Sequence, residues 1–247
     1  MKRLVFRRLL LLLPMLWLVA TLTFLVVAAA PGSYADTVDH PGLNAEQREA
    51  LRARYGLDRP IHEQYLSWLG SVAAGDLGTS FVTKEPVTRL LARALPPTLL
   101  LTGAALLLDF ILGIWLAVSA ARRPHGWFDR LSTVIGLGVA GLPSFWLAGG
   151  GFLVFALLLG WVPASHMRSV GADDLSGIAR LADFLRHLVL PAACLGLVGA
   201  AGTARYLRST LLDVRAERYI LAARARGLSE HRILWVHTLR PALVPVV

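Results

Sequence analysis

From Leu9 to Ala30 the chain runs 22 residues without a charged side chain. Coiled as an α-helix, such a run is roughly 33 Å long, and the hydrocarbon core of a bilayer is about 30 Å thick. Lipid offers no water to bond backbone amides, so a spanning segment of this kind must satisfy them internally, as a helix does. Lys2, Arg3, Arg7 and Arg8 precede the run and Ala28-Ala29-Ala30 end it, which is also the layout of a cleaved signal peptide. The run exceeds the about 7–15 residues of a signal core, and Pro31 follows at once, so it reads as a retained anchor.

Three further apolar stretches make the count four. Residues 98–120 form one span interrupted by Asp109. Residues 131–160 are long for one span and short for two, and Pro143 with Gly149-Gly150-Gly151 predicts a kink or local unwinding. Residues 188–204 are short and rich in Gly and Ala, the residues that let helix backbones approach closely in lipid. Composition agrees: 55% of residues are apolar and 17% charged, where soluble domains carry about 25% charge. Mean hydropathy is +0.58. Cys194 is the single cysteine, which excludes a disulfide scaffold and reads as a small core filler.

The formal charge of +9 is a topology signal. With the N-terminus in the cytoplasm, the inner segments carry the basic excess. Segment 1–8 has four basic and no acidic residues, 121–130 three and one, and 205–240 eight and three. The outer segments are balanced, with seven basic and eight acidic residues over 31–97 and three of each over 161–187. This orientation obeys the positive-inside rule and its inverse violates it. Nucleic-acid binding is not needed to explain the charge. Lys2 and Lys84 are the only lysines and neither lies in a Gly-Lys-Ser/Thr sequence, so ATP hydrolysis, if it drives this protein, belongs to another chain. The seven histidines form no i, i+3 or i+4 pair, and no catalytic cluster can be assembled within a span. No catalytic residue, metal site or cofactor is expected.

Between the spans the chain is not linker. Residues 44–55 suggest a short helix capped by Asn44, with Gln47 three residues on. Ile61, Tyr65, Trp68, Leu69 and Val72 share one helical face, suited either to the membrane interface or to packing on the spans. Gly75-Asp76-Leu77-Gly78-Thr79-Ser80 has turn chemistry at both glycines and precedes a second amphipathic stretch. On the inner side, residues 213–226 predict a helix ended by Gly227, and Ser229 can cap a second helix that runs to Arg240 before Pro241 perturbs it. Two short helices meeting at a glycine form a compact knob with small residues on its surface, suited to a groove on a partner; a solvated basic loop is the plainer alternative.

The knob sequence Tyr219-Ile220-Leu221-Ala222-Ala223-Arg224-Ala225-Arg226-Gly227-Leu228-Ser229-Glu230, with His237-Thr238-Leu239-Arg240 and Ala242-Leu243-Val244-Pro245, resembles the EAA loop of ABC-importer permeases of the dipeptide, oligopeptide and nickel group. Five further stretches resemble the same group in order along the chain: Leu57-Asp58-Arg59-Pro60 with Gln64-Tyr65-Leu66, Gly75 to Ser80, Leu142-Pro143-Ser144-Phe145-Trp146, and Gly160-Trp161-Val162-Pro163-Ala164-Ser165. The resemblance implies an all-α integral membrane protein with the type I importer permease (MetI-like) fold, in a bacterial inner membrane. It implies an importer of peptides or related solutes such as nickel chelates. The partners implied are a second permease in a heterodimer, two cytoplasmic ATPase subunits, and a periplasmic or lipid-anchored substrate-binding protein.

Carried onto this chain, the residues that couple to the ATPase are Tyr219, Ala222, Ala223, Arg224, Ala225, Arg226 and Gly227. Asp109, Pro143 and Ser144 are candidates for the translocation path, and Gly75, Asp76, Leu77 and Gly78 for periplasmic docking. The expected division is 1–30 as cytoplasmic N-terminus and first span, 31–97 as periplasmic segment, and 98–247 as permease core. Within that core 205–240 is the coupling loop and 241–247 begins the next span, so four of the usual six transmembrane helices are expected. Arg218 stands where the family usually has an acid, Pro241 where Asn is usual, and His166 where glycine is common. The competing reading is a self-contained secondary transporter or channel, in which Asp109 and the broken third span mark an ion path. Asp109 has a second reading, an acid held in the bundle by a neighbouring backbone carbonyl.

Overall fold

The computed structural model describes residues 2–30, 49, 53, 56, 58–80 and 82–244, and the expected helix over 44–55 lies outside them except for Glu49 and Ala53. The chain divides into two units, 1–94 and 95–247. Within the described residues all the regular structure is helical apart from one isolated bridge, Thr79 to Pro86. Among the described residues three helices are long and apolar enough to cross a membrane, or four spans if a sharply bent pair counts as one.

In the first unit, α1 (Lys2–Ala29) covers the uncharged run. The amphipathic helix α2 (Ile61–Ala73) packs on it. Phe24 of α1 lies 5.3 Å from the Tyr65 ring and 5.4 Å from Trp68, and the hydroxyls of Thr21 and Tyr65 are 2.7 Å apart. Of the two roles open to this stripe, its aromatic half packs on a span. The following loop is tied by its glycines. Gly75 and Gly78 have φ of +83° and +75°, and the Gly78 amide donates to Asp76 Oδ1 at 2.8 Å while the Val87 amide returns to the Gly78 carbonyl.

Helix α3 (Val87–Arg122) begins well before the expected span, because the second amphipathic stretch continues straight into it. Pro96 and Pro97 remove two amide donors, but the carbonyls they would have met belong to Ala92 and Arg93, which are exposed. Next come α4 (Trp127–Gly141) and α5 (Ser144–Gly151), which bend by 100° across Leu142–Pro143. Past the glycine triplet the helix widens into a π-helical stretch, Phe152–Leu158. The predicted kink is therefore present at Leu142–Pro143, while the glycine triplet itself stays helical. The last span is longer than predicted: α6 (Gly177–Arg215) has 39 residues and passes through Pro191.

In the second unit α3 and α6 cross through their small residues. A methyl on Gly196 would come within 2.8 Å of the Ala105 carbonyl oxygen, and one on Gly113 within 2.8 Å of Thr203 Cγ2. Buried positions here are Ala105, Ala117, Ala120, Ala121, Ala192 and Ala200, while Leu106, Leu107, Ile111 and Trp115 point outward. That inversion of a soluble core suits lipid, where large apolar groups gain nothing by leaving the solvent and close backbone packing drives association.

Candidate functional site

The inner ends of the helices build the knob. Residues 213–226 are not one helix, as the sequence pattern suggested. Helix α6 ends at Arg215, the chain turns at Ala216–Glu217, and α7 runs Arg218–Ala225. No glycine or proline marks that turn. Its cause is tertiary: turning lets Ile220 and Ala223 bury against Ile233, with Leu228 packed beside them. Gly227 then takes φ +77°, the left-handed geometry its type favours, and the Leu228 amide reaches back to the Ala223 carbonyl.

The second arm starts as expected. Ser229 Oγ accepts from the Arg232 amide at the start of α8 (Glu230–Arg232). The helix then widens into a π-helical stretch, Ile233–Thr238, before α9 (Leu239–Leu243). Pro241 has no amide to give the His237 carbonyl in an α-helical pattern, and the Tyr219 hydroxyl donates to that carbonyl at 3.2 Å. So Pro241, where the family usually has Asn, is accommodated by a residue of the other arm. Leu234, Leu239 and Ala242 join Ala117, Val118 and Ala121 of α3 and Leu207 and Leu211 of α6 in one buried cluster, which roots the knob in the membrane helices.

The expected coupling residues divide by this packing. Tyr219, Ala222, Arg224, Ala225, Arg226 and Gly227 are exposed, and so is Leu221 at 56%. Ala223 is 1% exposed. It belongs to the knob's interior and not to the small-residue surface on which the sequence reading placed it. Its spacing from Ile220 puts both on the inner face of α7. Arg224 donates from Nε to Glu230 Oε1 at 2.6 Å and from Nη2 to Oε2 at 3.2 Å. Those bonds, with the charge of Arg215 adding to them, hold the Glu230 carboxyl below its ordinary value and raise that of Arg224.

Two charged links escaped the sequence reading. Asp129, 3% exposed at the start of α4, takes a two-pronged ion pair from Arg208 of α6, with Nη2 to Oδ2 at 2.6 Å and Nε to Oδ1. Its Oδ2 also accepts from the His125 amide at 2.7 Å. Arg215 donates to the Ala121 carbonyl and lies 3.7 Å from Glu230. Asp129–Arg208 and Arg215–Ala121 join residues 79 and 94 apart in the chain, and no local pattern marks them.

Asp109 packs against Gly199 of α6, where a methyl would come within 2.6 Å of Oδ2. Its Oδ1 is buried without a hydrogen-bond partner, so the expected carbonyl bond is absent at that oxygen. Pro143 and Ser144 sit exposed at the α4–α5 break. Gly75 to Gly78 form the exposed turn already described. No cluster of three or more His, Cys, Asp or Glu side chains suited to a metal occurs among the described residues.

Comparison with known proteins matches residues 109–247 to the family described as binding-protein-dependent transport system inner membrane component, and residues 1–102 to the N-terminal part of such components. The chain is 37% identical over 247 residues to the oligopeptide transport system permease protein AppB of Bacillus subtilis (strain 168), covering 98% of this chain and 76% of that one. It is 36% identical over 243 residues to the glutathione transport system permease protein GsiC of Escherichia coli (strain K12), covering 98% and 74%. These matches set aside the self-contained secondary transporter. The chain belongs to the binding-protein-dependent transport system inner membrane components, and is a multi-pass permease subunit of an ABC importer that works with ATPase and substrate-binding partners and is not itself an enzyme.

Proposed function

We propose that residues 213–240 are the element through which the ATPase subunits drive this permease, and that the exposed face of α7 is what they grip. The observation that carries this reading is the packing of the knob. Its interior is closed by Ile220, Ala223 and Ile233, leaving Leu221, Ala222, Ala225 and Arg226 outward on the first arm, which is held to a second arm rooted in α3 and α6. An apolar side chain exposed at 56% beside two alanines suits a groove better than water. The basic excess of 1–8, 121–130 and 205–240 supports an inward-facing N-terminus and knob.

The remaining assignments rest on the resemblance. The cargo is of the peptide class, which the names of the oligopeptide and glutathione permeases support. A second permease subunit completes the pathway, lined in part by Asp109 and the Pro143–Ser144 break. The turn Gly75-Asp76-Leu77-Gly78, on the outer side within the 31–97 segment, receives the binding protein.

The test is Ala222→Trp in the assembled importer. A large side chain on the outer face blocks docking without entering the knob's interior, so the ATPase subunits are expected to be lost on purification while membrane insertion is unchanged. Normal retention of those subunits together with normal uptake would return 205–240 to the reading of a solvated basic loop.

A further inference from the structure

Arg215 stands where the knob meets the membrane helices. It is the last residue of α6, and its side chain is 19% exposed. Nη1 donates to the Ala121 carbonyl, one residue before the end of α3. Carbonyls in a helix's last turn lack internal partners, and a cation there also meets the negative end of the helix dipole. Nη2 of the same guanidinium lies 3.7 Å from Glu230 Oε2, on the first residue of α8. Arg224 of α7 bonds both oxygens of that carboxylate, so Oε2 is shared between the two arginines. A planar guanidinium can hold two acceptors at once, and here they come from a membrane helix and from the knob.

We propose that Arg215 is a positioning residue that fixes the knob to the inner end of α3, so that a displacement of the knob is carried into α3 and not absorbed at the Ala216–Glu217 turn. The proposal rests on the reading of 213–240 as the coupling element. Three observations bear on it. The turn contains no side-chain cap, and what holds it locally is backbone bonding alone, from the Ala216 amide to the Asp213 carbonyl and from the Glu217 amide to the Val214 carbonyl. Arg215 spans that turn from α6 to α8. The two halves of the link also differ in strength. The Arg215 bond to Ala121 is partly buried, whereas the Glu230 carboxylate is 59% exposed and exposed pairs hold weakly. An excessive displacement therefore parts the link at Glu230 and leaves Arg215 on α3.

The test uses the whole importer with its ATPase and binding-protein partners, in a Cys194→Ala background. Spin labels at cysteines replacing the exposed Arg122 and Arg232 report the separation of α3 and the knob. With the native Arg215 and Glu230 the separation is expected to be the same in the nucleotide-free and ATP-trapped states. In Arg215→Gln or Glu230→Gln it is expected to match the native value without nucleotide and to shift by about 2 Å or more on ATP trapping, the scale of helix movements in switching proteins. ATPase retention should be unchanged. Separation that stays independent of ATP in both variants overturns the proposal, as does a native separation that itself shifts. A change equal in both nucleotide states, with ATPase subunits lost, makes Arg215 a folding residue and also overturns it. Should Arg215→Gln fail to fold, Glu230→Gln decides alone, since it alters an exposed side chain. Failure of the underlying coupling reading shows separately, as unchanged ATPase docking in Ala222→Trp.

Discussion

The α3–α6 crossing and the knob rooted in those two helices are packed by opposite rules. In the crossing the interior is glycine and alanine, giving way to Val118, Leu207 and Leu211 only where the knob is rooted, and Leu106, Leu107, Ile111 and Trp115 face outward. In the knob the interior is Ile220 and Ile233 around one alanine, and arginines face outward. The difference lies in the solvent. Water rewards burial of large apolar side chains, whereas lipid leaves van der Waals contact and polar pairing to hold helices together. Ion pairs follow suit: Asp129–Arg208 is largely buried beside the crossing, and Arg224–Glu230 is exposed on the knob.

The largest effect expected from breaking this contrast comes from the buried pair. Asp129→Ala leaves Arg208 without its partner and frees the His125 amide, and losing one member of a buried pair costs about 3–5 kcal/mol. Thermal unfolding in detergent should show it, and a variant as stable as the parent would place the pair among the weak exposed ones. Size inversion is the sharper probe. Gly196→Ala drives a methyl to 2.8 Å from the Ala105 carbonyl oxygen, and overpacking of this kind costs about 1–3 kcal/mol. Leu106→Ala, which removes far more volume from an outward position, should cost less than Gly196→Ala. The reverse order would mean that the crossing is packed like a soluble core.

The smallest effect belongs to the exposed pair and depends on pH. Arg224, and secondarily Arg215, hold the Glu230 carboxyl below its unfolded value. Its stabilisation is therefore fully present above about pH 4.3, the ordinary glutamate value, and is lost as pH falls through the lowered one. The difference in thermal midpoint between the parent and Glu230→Gln should be constant near neutrality and shrink on acidification. A difference that grows with acid would contradict the pairing.

Much of the architecture was legible in sequence because it follows from solvent and local geometry. Uncharged runs located the long apolar helices, Pro143 located the break, and Gly227 and Ser229 located the knob's corner. Boundaries were less legible. Apolarity ends where lipid ends, but helices α3 and α6 continue beyond it, since nothing in Val87–Leu95 or Leu207–Arg215 stops them. The turn at Ala216–Glu217 carries no local signal at all.

The sequence by itself determined a helical membrane protein, its number of apolar segments and the family it resembles, since hydropathy, turn chemistry and motif order are properties of neighbours in the chain. Only the tertiary structure decided that Ala223 faces inward while Ala222 faces outward, that Tyr219 serves the carbonyl Pro241 leaves unpaired, and that Arg215 and Asp129 find partners 94 and 79 residues away. Such pairings depend on which helices meet, and the packing of small residues between α3 and α6 sets that meeting.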